Sequence, residues 1–247
     1  MKKQVWLFIA AIVLFFVGVV SAANESVFAN ANQAYNESRF QEAVTGYESL
    51  VQAGQWNANL FYDLGNAYYR LGNFGKAILN YERALALDPR HPEADANLRL
   101  ARDEARALEL RKDWSERYAS MATVKQYSIA AAIAFWATVF IATHLVLSRR
   151  RSAGRIALVV LSLIVCGVSV FAIYTLENGT RGNALAIVSG KETDARLATA
   201  DNAKSILVLP PGSEIKILSE RGDWIYAALP NDQRGWIPAQ SAERVRL

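Results

Sequence analysis

The sequence carries one cysteine, Cys166, and two histidines, His91 and His144. A lone thiol builds no disulfide framework, and without Cys or His pairs at ligand spacing there is no zinc signature. Cys166 falls inside an uncharged apolar run, where it reads as a small packing residue. Nucleophilic catalysis of the Cys–His kind has nothing to assemble, because His91 and His144 belong to segments of different character. A glycine-rich phosphate loop is also lacking. Carboxylates such as Asp103 and Glu104 lie on a charged helical stretch, where solvation explains them. These gaps point away from an enzyme: no catalytic residue, metal ligand or cofactor site is expected.

What the chain has in quantity is hydrophobicity, 52% of its residues against 20% charged. That is rich for a soluble protein, so part of it is expected to face lipid. Three uncharged runs supply it: Val5 to Val20, Ser128 to Ser148, and Ile156 to Leu176. The first follows Lys2 and Lys3 and ends in Val20, Ser21, Ala22 and Ala23, which places small residues where a signal peptidase cuts. Residues 1–22 read as a secretory signal, with an uncleaved anchor as the alternative; in both cases the next segment leaves the cytosol.

The second and third runs have the roughly twenty residues that a helix needs to cross a hydrocarbon layer of about 30 Å. Between them lies only "RRRSAGR", with Arg149, Arg150, Arg151 and Arg155. Arginines in a short loop stay in the cytosol. A nucleic-acid patch is the competing interpretation of such a cluster, but seven residues held against a bilayer offer no groove-sized surface. No nucleic-acid partner is expected. Leader and arginine turn predict the same orientation, with both flanking soluble parts outside the cytosol. Setting aside Lys2, Lys3 and the four turn arginines takes the formal charge from +4 to −2, so the basic balance implies no acidic partner.

Between leader and first span, Phe61, Leu64, Gly65, Tyr68, Ala77, Tyr81, Ala84 and Pro89 stand at regular signature spacings. The pattern resembles the tetratricopeptide repeat (TPR), two antiparallel helices per repeat. Gly65 and Ala77 are small where the two helices meet, Gly72 and Asn73 read as a turn that tolerates left-handed backbone, and Pro89 stops the second helix. A degenerate copy, with Ala31, Phe40, Ala43, Tyr47 and Leu50, lies one repeat length earlier. A further helix from Pro92, with Leu98, Ala101, Ala105 and Leu108 on one face, reads as a polar cap. Repeat arrays of this kind commonly bind extended peptides along the face of each first helix. Its positions here are Phe28, Asn32 and Tyr35, then Tyr62, Asn66 and Tyr69. Asparagines offer hydrogen bonds to a peptide backbone and aromatics offer contact area, while packing between repeats is the alternative role for each ring.

After the second span, short alternating β-rich segments are punctuated by Pro210, Pro211, Gly212, Gly222 and Asp223. "LPPGSEIKIL", "RGDWIYAAL" and "RGWIPAQSAERV" resemble a bacterial SH3-like domain, a small barrel. Trp224, Tyr226 and Trp236 are then candidate ligand-binding aromatics, or the tryptophans close the barrel core. Cell-wall peptidases with such domains need a cysteine and a histidine elsewhere, which this chain does not supply.

The expected fold class is thus a multidomain membrane protein: an α-helical TPR array, a two-helix transmembrane hairpin and a C-terminal all-β SH3-like barrel. The expected boundaries are signal 1–22, repeats with cap 23–122, spans 123–148 and 156–176 around the turn 149–155, and β-domain 177–247. This order of modules resembles the BatE family of the Bacteroides aerotolerance operon. The resemblance implies a bacterial inner-membrane protein with periplasmic modules. It also implies partnership with von Willebrand factor A-domain membrane proteins and a MoxR-type ATPase in envelope or oxidative stress. A non-enzymatic scaffold is the leading expectation, and a peptidoglycan-binding wall sensor the second.

Overall fold

The computed structural model describes residues 25–148 and 152–246. The expected leader and three of the turn arginines, Arg149, Arg150 and Arg151, lie outside the described residues. The chain divides into two compact units. The first holds the described residues up to Ala107 with two short stretches, Ile187–Glu192 and Pro210–Gly212; the second holds Leu108–Ala186, Thr193–Leu209 and Ser213 onward.

The first unit is a series of helices: α1 (residues 25–36), α2 (Phe40–Gln52), α3 (Ala58–Arg70), α4 (Phe74–Leu87) and α5 (Pro92–Ala105). Each start has a local cause. Asn57 is extended and its side chain accepts from Leu60 N at 2.8 Å, which caps α3. α5 begins with Pro92 in its first turn and His91 Nδ1 accepting from Ala94 N at 3.3 Å. In the turn before α4, Gly72 is left-handed at φ +72°. Asn73 departs from the expected left-handed turn residue: its φ is −87° and it serves as the N-cap, accepting from Lys76 N at 3.2 Å. One residue in αL completes that turn, and the asparagine satisfies an orphan donor instead.

The earlier turn solves the same problem without glycine. Ser38, at the position equivalent to Gly72 in the preceding copy, has φ +62°. A side chain in this region costs on the order of 1 kcal/mol. Ser38 is exposed. Ser38→Gly is therefore expected to raise the stability of the helical unit by about 0.5–1 kcal/mol, read as a higher denaturation midpoint at unchanged m-value. A lower midpoint would show that the serine side chain contributes something the backbone angle hides.

The core of this unit consists of the signature residues. Tyr47, Phe61, Leu64, Ala77, Tyr81 and Ala84 are buried. Gly65 lies so close to α4 that a Cβ built on it would stand 2.7 Å from the Tyr81 ring. One expectation needs correction: Leu108 is not on the helix that starts at Pro92. α5 ends at Ala105 because Arg106 turns left-handed (φ +51°), and Leu108 belongs to the extended chain that follows.

The second unit contains α6 (Trp114–Ala119), α7 (Val124–Leu147) and α8 (Ala153–Asn178). α7 and α8 are long and apolar enough to cross a membrane, with mean hydropathy 2.0 and 2.9. Each extends past its uncharged run, because Thr123 and Gln126 form a reciprocal capping box before α7 and α8 runs on through Glu177 and Asn178. The helices are antiparallel. Thr138 Oγ1 lies 2.7 Å from Ser162 Oγ, and nearer the turn Arg155 Nη1 donates to His144 Nδ1 at 3.4 Å and Ser148 Oγ at 3.5 Å. Ala134, Ser169 and Ala172 are buried in their seam, whereas Gly167 has nothing within 4 Å of its Cβ direction.

Seven strands follow: β1 (Leu185–Val188), β2 (Thr193–Arg196), β3 (Ser205–Leu209), β4 (Glu214–Arg221), β5 (Trp224–Ala228), β6 (Arg234–Pro238) and β7 (Ala242–Arg244). They form an antiparallel sheet region in the order β3-β2-β6-β5-β4-β1-β7. The core lies under the alternate residues Ile225, Ala227, Gly235 and Ile237, all buried. The architecture is therefore a helical repeat array, a pair of long apolar helices and a C-terminal all-β region.

Candidate interaction surfaces

The three contacts that shape the helical face recur at equivalent positions of the two repeats. Tyr47 Oη donates to Asn32 Oδ1 at 2.7 Å, and Tyr81 Oη donates to Asn66 Oδ1 at 2.8 Å. Phe28 lies 5.9 Å from the Tyr47 ring, and Tyr62 lies 6.2 Å from the Tyr81 ring. Tyr35 meets Phe40 edge-on at 5.4 Å, and Tyr69 meets Phe74 at the same distance. The degenerate first copy therefore folds as a repeat even where its letters differ.

The joint between repeats recurs too. Tyr68 Oη donates to Glu48, and at the equivalent positions of the next joint Arg102 donates to Glu82. α5 accordingly occupies the place of a first helix in a third repeat: Ala94, Leu98, Ala101 and Arg102 are buried where α3 buries Leu60, Leu64, Ala67 and Tyr68. The Glu82–Arg102 pair has no signal in the sequence, because a glutamate and an arginine on amphipathic helices look like solvated surface.

Residues 58–91 match the tetratricopeptide repeat family model. This is the unit whose spacing is visible in the sequence, and the family is a protein-interaction module, ordinarily without catalysis. No curated protein matches the chain. Among the described residues, no group of three or more His, Cys, Asp or Glu is placed to hold a metal ion.

All six candidate groove residues, Phe28, Asn32, Tyr35, Tyr62, Asn66 and Tyr69, are half-buried, so each combines a packing contact with an accessible edge. The carbonyl oxygens of Asn32 and Asn66 are committed to tyrosine hydroxyls. Asn97 Nδ2 adds a second donor to Asn66 Oδ1 at 2.9 Å. What the asparagines leave uncommitted in that network is their amide N–H groups, donors of the kind a carbonyl accepts. Burial pushes the Tyr47 and Tyr81 hydroxyls upward in pKa, so both remain donors. A cleft of about 390 Å³ opens beside Phe28, lined also by Asn57, Ala58 and Asn59.

Asp63, on α3, is a carboxylate with a displaced titration. Burial pushes it up to about 6, while the charge of His91 pulls the other way. In the folded chain it holds a proton between about pH 4 and pH 6, where the unfolded chain has lost it. Stability is therefore greatest below about pH 4, declines as pH rises toward 6, and keeps the full cost of a buried carboxylate above that. Asp63→Asn is expected to remove this slope, gaining stability over the native chain at neutral pH and nothing at pH 3. Parallel stability–pH curves for the two chains would contradict the assignment.

In the β-region, Trp224, Tyr226 and Trp236 are half-buried and do not belong to the core. Tyr226 pairs across β5 and β6 with Trp236, their rings 4.9 Å apart, and Trp224 pairs with Pro238. Arg196 on β2 stands opposite Trp236. The two sides of β5 and β6 have separate duties: Ile225 and Ile237 point into the core, and the aromatics line the other face. Of the four turn arginines, Arg155 is described, engaged with His144 and Ser148 as above.

Proposed function

We propose that this chain is a non-enzymatic, membrane-anchored adaptor that captures an extended protein segment on the face formed by Phe28, Asn32, Tyr35, Tyr62, Asn66 and Tyr69. The observation that carries the reading is the recurrence, in both repeats, of an asparagine oriented by a buried tyrosine beside an accessible aromatic. Such a row presents amide donors and flat contact area at matching intervals. The apolar helices α7 and α8 anchor the module in a bacterial inner membrane, and Arg149, Arg150, Arg151 and Arg155 keep their turn in the cytosol. The repeat segment (23–122) and the SH3-like β-domain (177–247) then share the periplasm, and tethering to one hairpin raises their effective concentration for a common partner. The resemblance to the BatE family favours von Willebrand factor A-domain membrane proteins and a MoxR-type ATPase as the complex, in aerotolerance or envelope stress.

A photocrosslinking residue introduced at Tyr69 or Phe28 in intact cells is expected to trap a protein adduct, while the same residue at the exposed Arg99 on α5 traps none. Equal yields at all three positions would remove the groove from consideration. Orientation is tested separately in a Cys166→Ala background. An impermeant maleimide applied to unbroken spheroplasts should label Asp201→Cys, which is exposed, and leave Ser152→Cys unlabelled. The opposite pattern would place both modules in the cytosol.

A second reading is favoured by the outward row of Trp224, Tyr226 and Trp236: the β-domain binds peptidoglycan and the chain senses the wall. Co-sedimentation of the detergent-solubilised chain with purified wall, lost on Trp236→Ala, would support it; sedimentation unaffected by that change would not.

A further inference from the structure

The short helix α6 exposes a consistently apolar face that neither the repeats nor the sheet explains. Trp114 and Tyr118, 68% and 63% exposed, stand at i and i+4 on one side of α6, and Met121, 78% exposed, follows in the turn just past its end. The opposite side is fixed. Ala119 is buried, and Glu116 accepts from both the backbone N and Oγ1 of Thr180, just past the end of α8. α7 begins shortly after Met121, at Val124. Because α7 and α8 are antiparallel, the start of one and the end of the other mark the same edge of the apolar hairpin, and α6 is pinned there.

We propose that α6 is an interfacial foot, with its Trp114–Tyr118–Met121 face seated in the headgroup–acyl boundary of the bilayer that α7 and α8 cross. The inference rests on the reading of that hairpin as membrane-spanning. Three observations select lipid as the occupant. The hairpin also exposes large apolar side chains toward the same edge, at Ile129 near the start of α7 and at Phe171 and Tyr174 near the end of α8. Its residue types, tryptophan and tyrosine, have the flat apolar body and polar handle that favour membrane–water boundaries. Exposed Arg117 and Lys125 flank it, as cations commonly flank interfacial helices. A one-and-a-half-turn helix would bind lipid feebly alone, but the hairpin delivers it to the surface at high effective concentration. The Glu116–Thr180 contact then fixes the depth at which the chain leaves the membrane.

The test uses the full chain in a Cys166→Ala background, reconstituted in phosphatidylcholine vesicles containing a minority of phosphatidylglycerol. Nitroxide labels are placed singly through Trp114→Cys, Tyr118→Cys and Met121→Cys, with Asp201→Cys as aqueous reference and Phe140→Cys as mid-helix reference. The expected result is loss of collisions with a water-soluble nickel complex and gain of collisions with oxygen at 114, 118 and 121, to a depth between the two references. Nickel collisions equal to those at 201, with Phe140→Cys still protected, would overturn the foot and leave the span intact. Protection from both reagents would mean that protein, a partner or a second copy, covers the face, and would also overturn it. Full nickel access at Phe140→Cys would instead bring down the membrane reading and the foot with it. Brominated phosphatidylcholine provides a label-free check: the native chain should lose more tryptophan emission than Trp114→Phe, and equal losses would contradict the proposal.

Discussion

Glu82→Leu is expected to destabilise the helical unit by about 3–5 kcal/mol, the usual cost of removing one partner of a buried ion pair. Glu82 and Arg102 have side chains only 7% and 9% exposed, so the guanidinium left behind has little access to water. The pair joins α4 to α5, and its loss should be seen as a lowered midpoint of the helical circular-dichroism transition. The double variant Glu82→Leu/Arg102→Met is expected to recover most of that loss, since an apolar pair of similar volume carries no desolvation cost. A single-variant loss below about 1 kcal/mol, the level of an exposed surface pair, would contradict the burial.

Gly65→Val should be nearly as damaging. Its first added carbon would stand 2.7 Å from two carbons of the Tyr81 ring, closer than side chains approach. The ring is not free to step aside, because it is buried and its hydroxyl is held by Asn66. Either α3 moves away from α4 or the tyrosine leaves its rotamer, and overpacking of this kind costs about 1–3 kcal/mol, with the branched carbon adding to it. Combining Gly65→Val with Tyr81→Leu should cost clearly less than the sum of the separate changes, because the leucine vacates the collision. Strict additivity would mean that the two positions do not press on each other.

The repeat at 58–91 is legible because close packing of two helices demands small residues at set places and aromatics at others, so Gly65, Ala77 and Tyr81 announce their neighbours. The preceding copy is only half legible, since its joint tolerates substitution: Ser38 takes the left-handed turn despite its side chain, and Phe28 replaces Tyr62 without altering the ring distance appreciably. The place of α5 was obscured for a physical reason. Periodicity carries an apolar pattern past Ala105 to Leu108, but nothing in that pattern reveals that Arg106 turns the chain out of the helix. Buried charges are the least legible of all, because Glu82 and Arg102 acquire their burial from a neighbour that spacing does not name. Among the candidate groove residues, the sequence indicates which side of α1 and α3 they share, but not that Asn32 and Asn66 each commit an oxygen to the helix behind them.

The division of labour along β5 and β6 has an evolutionary corollary. Letters at 224, 226 and 236 can be exchanged without touching Ile225 or Ile237, so descendants of this chain are able to vary the aromatic face while retaining the same scaffold. Facing and framework are inherited on alternate residues.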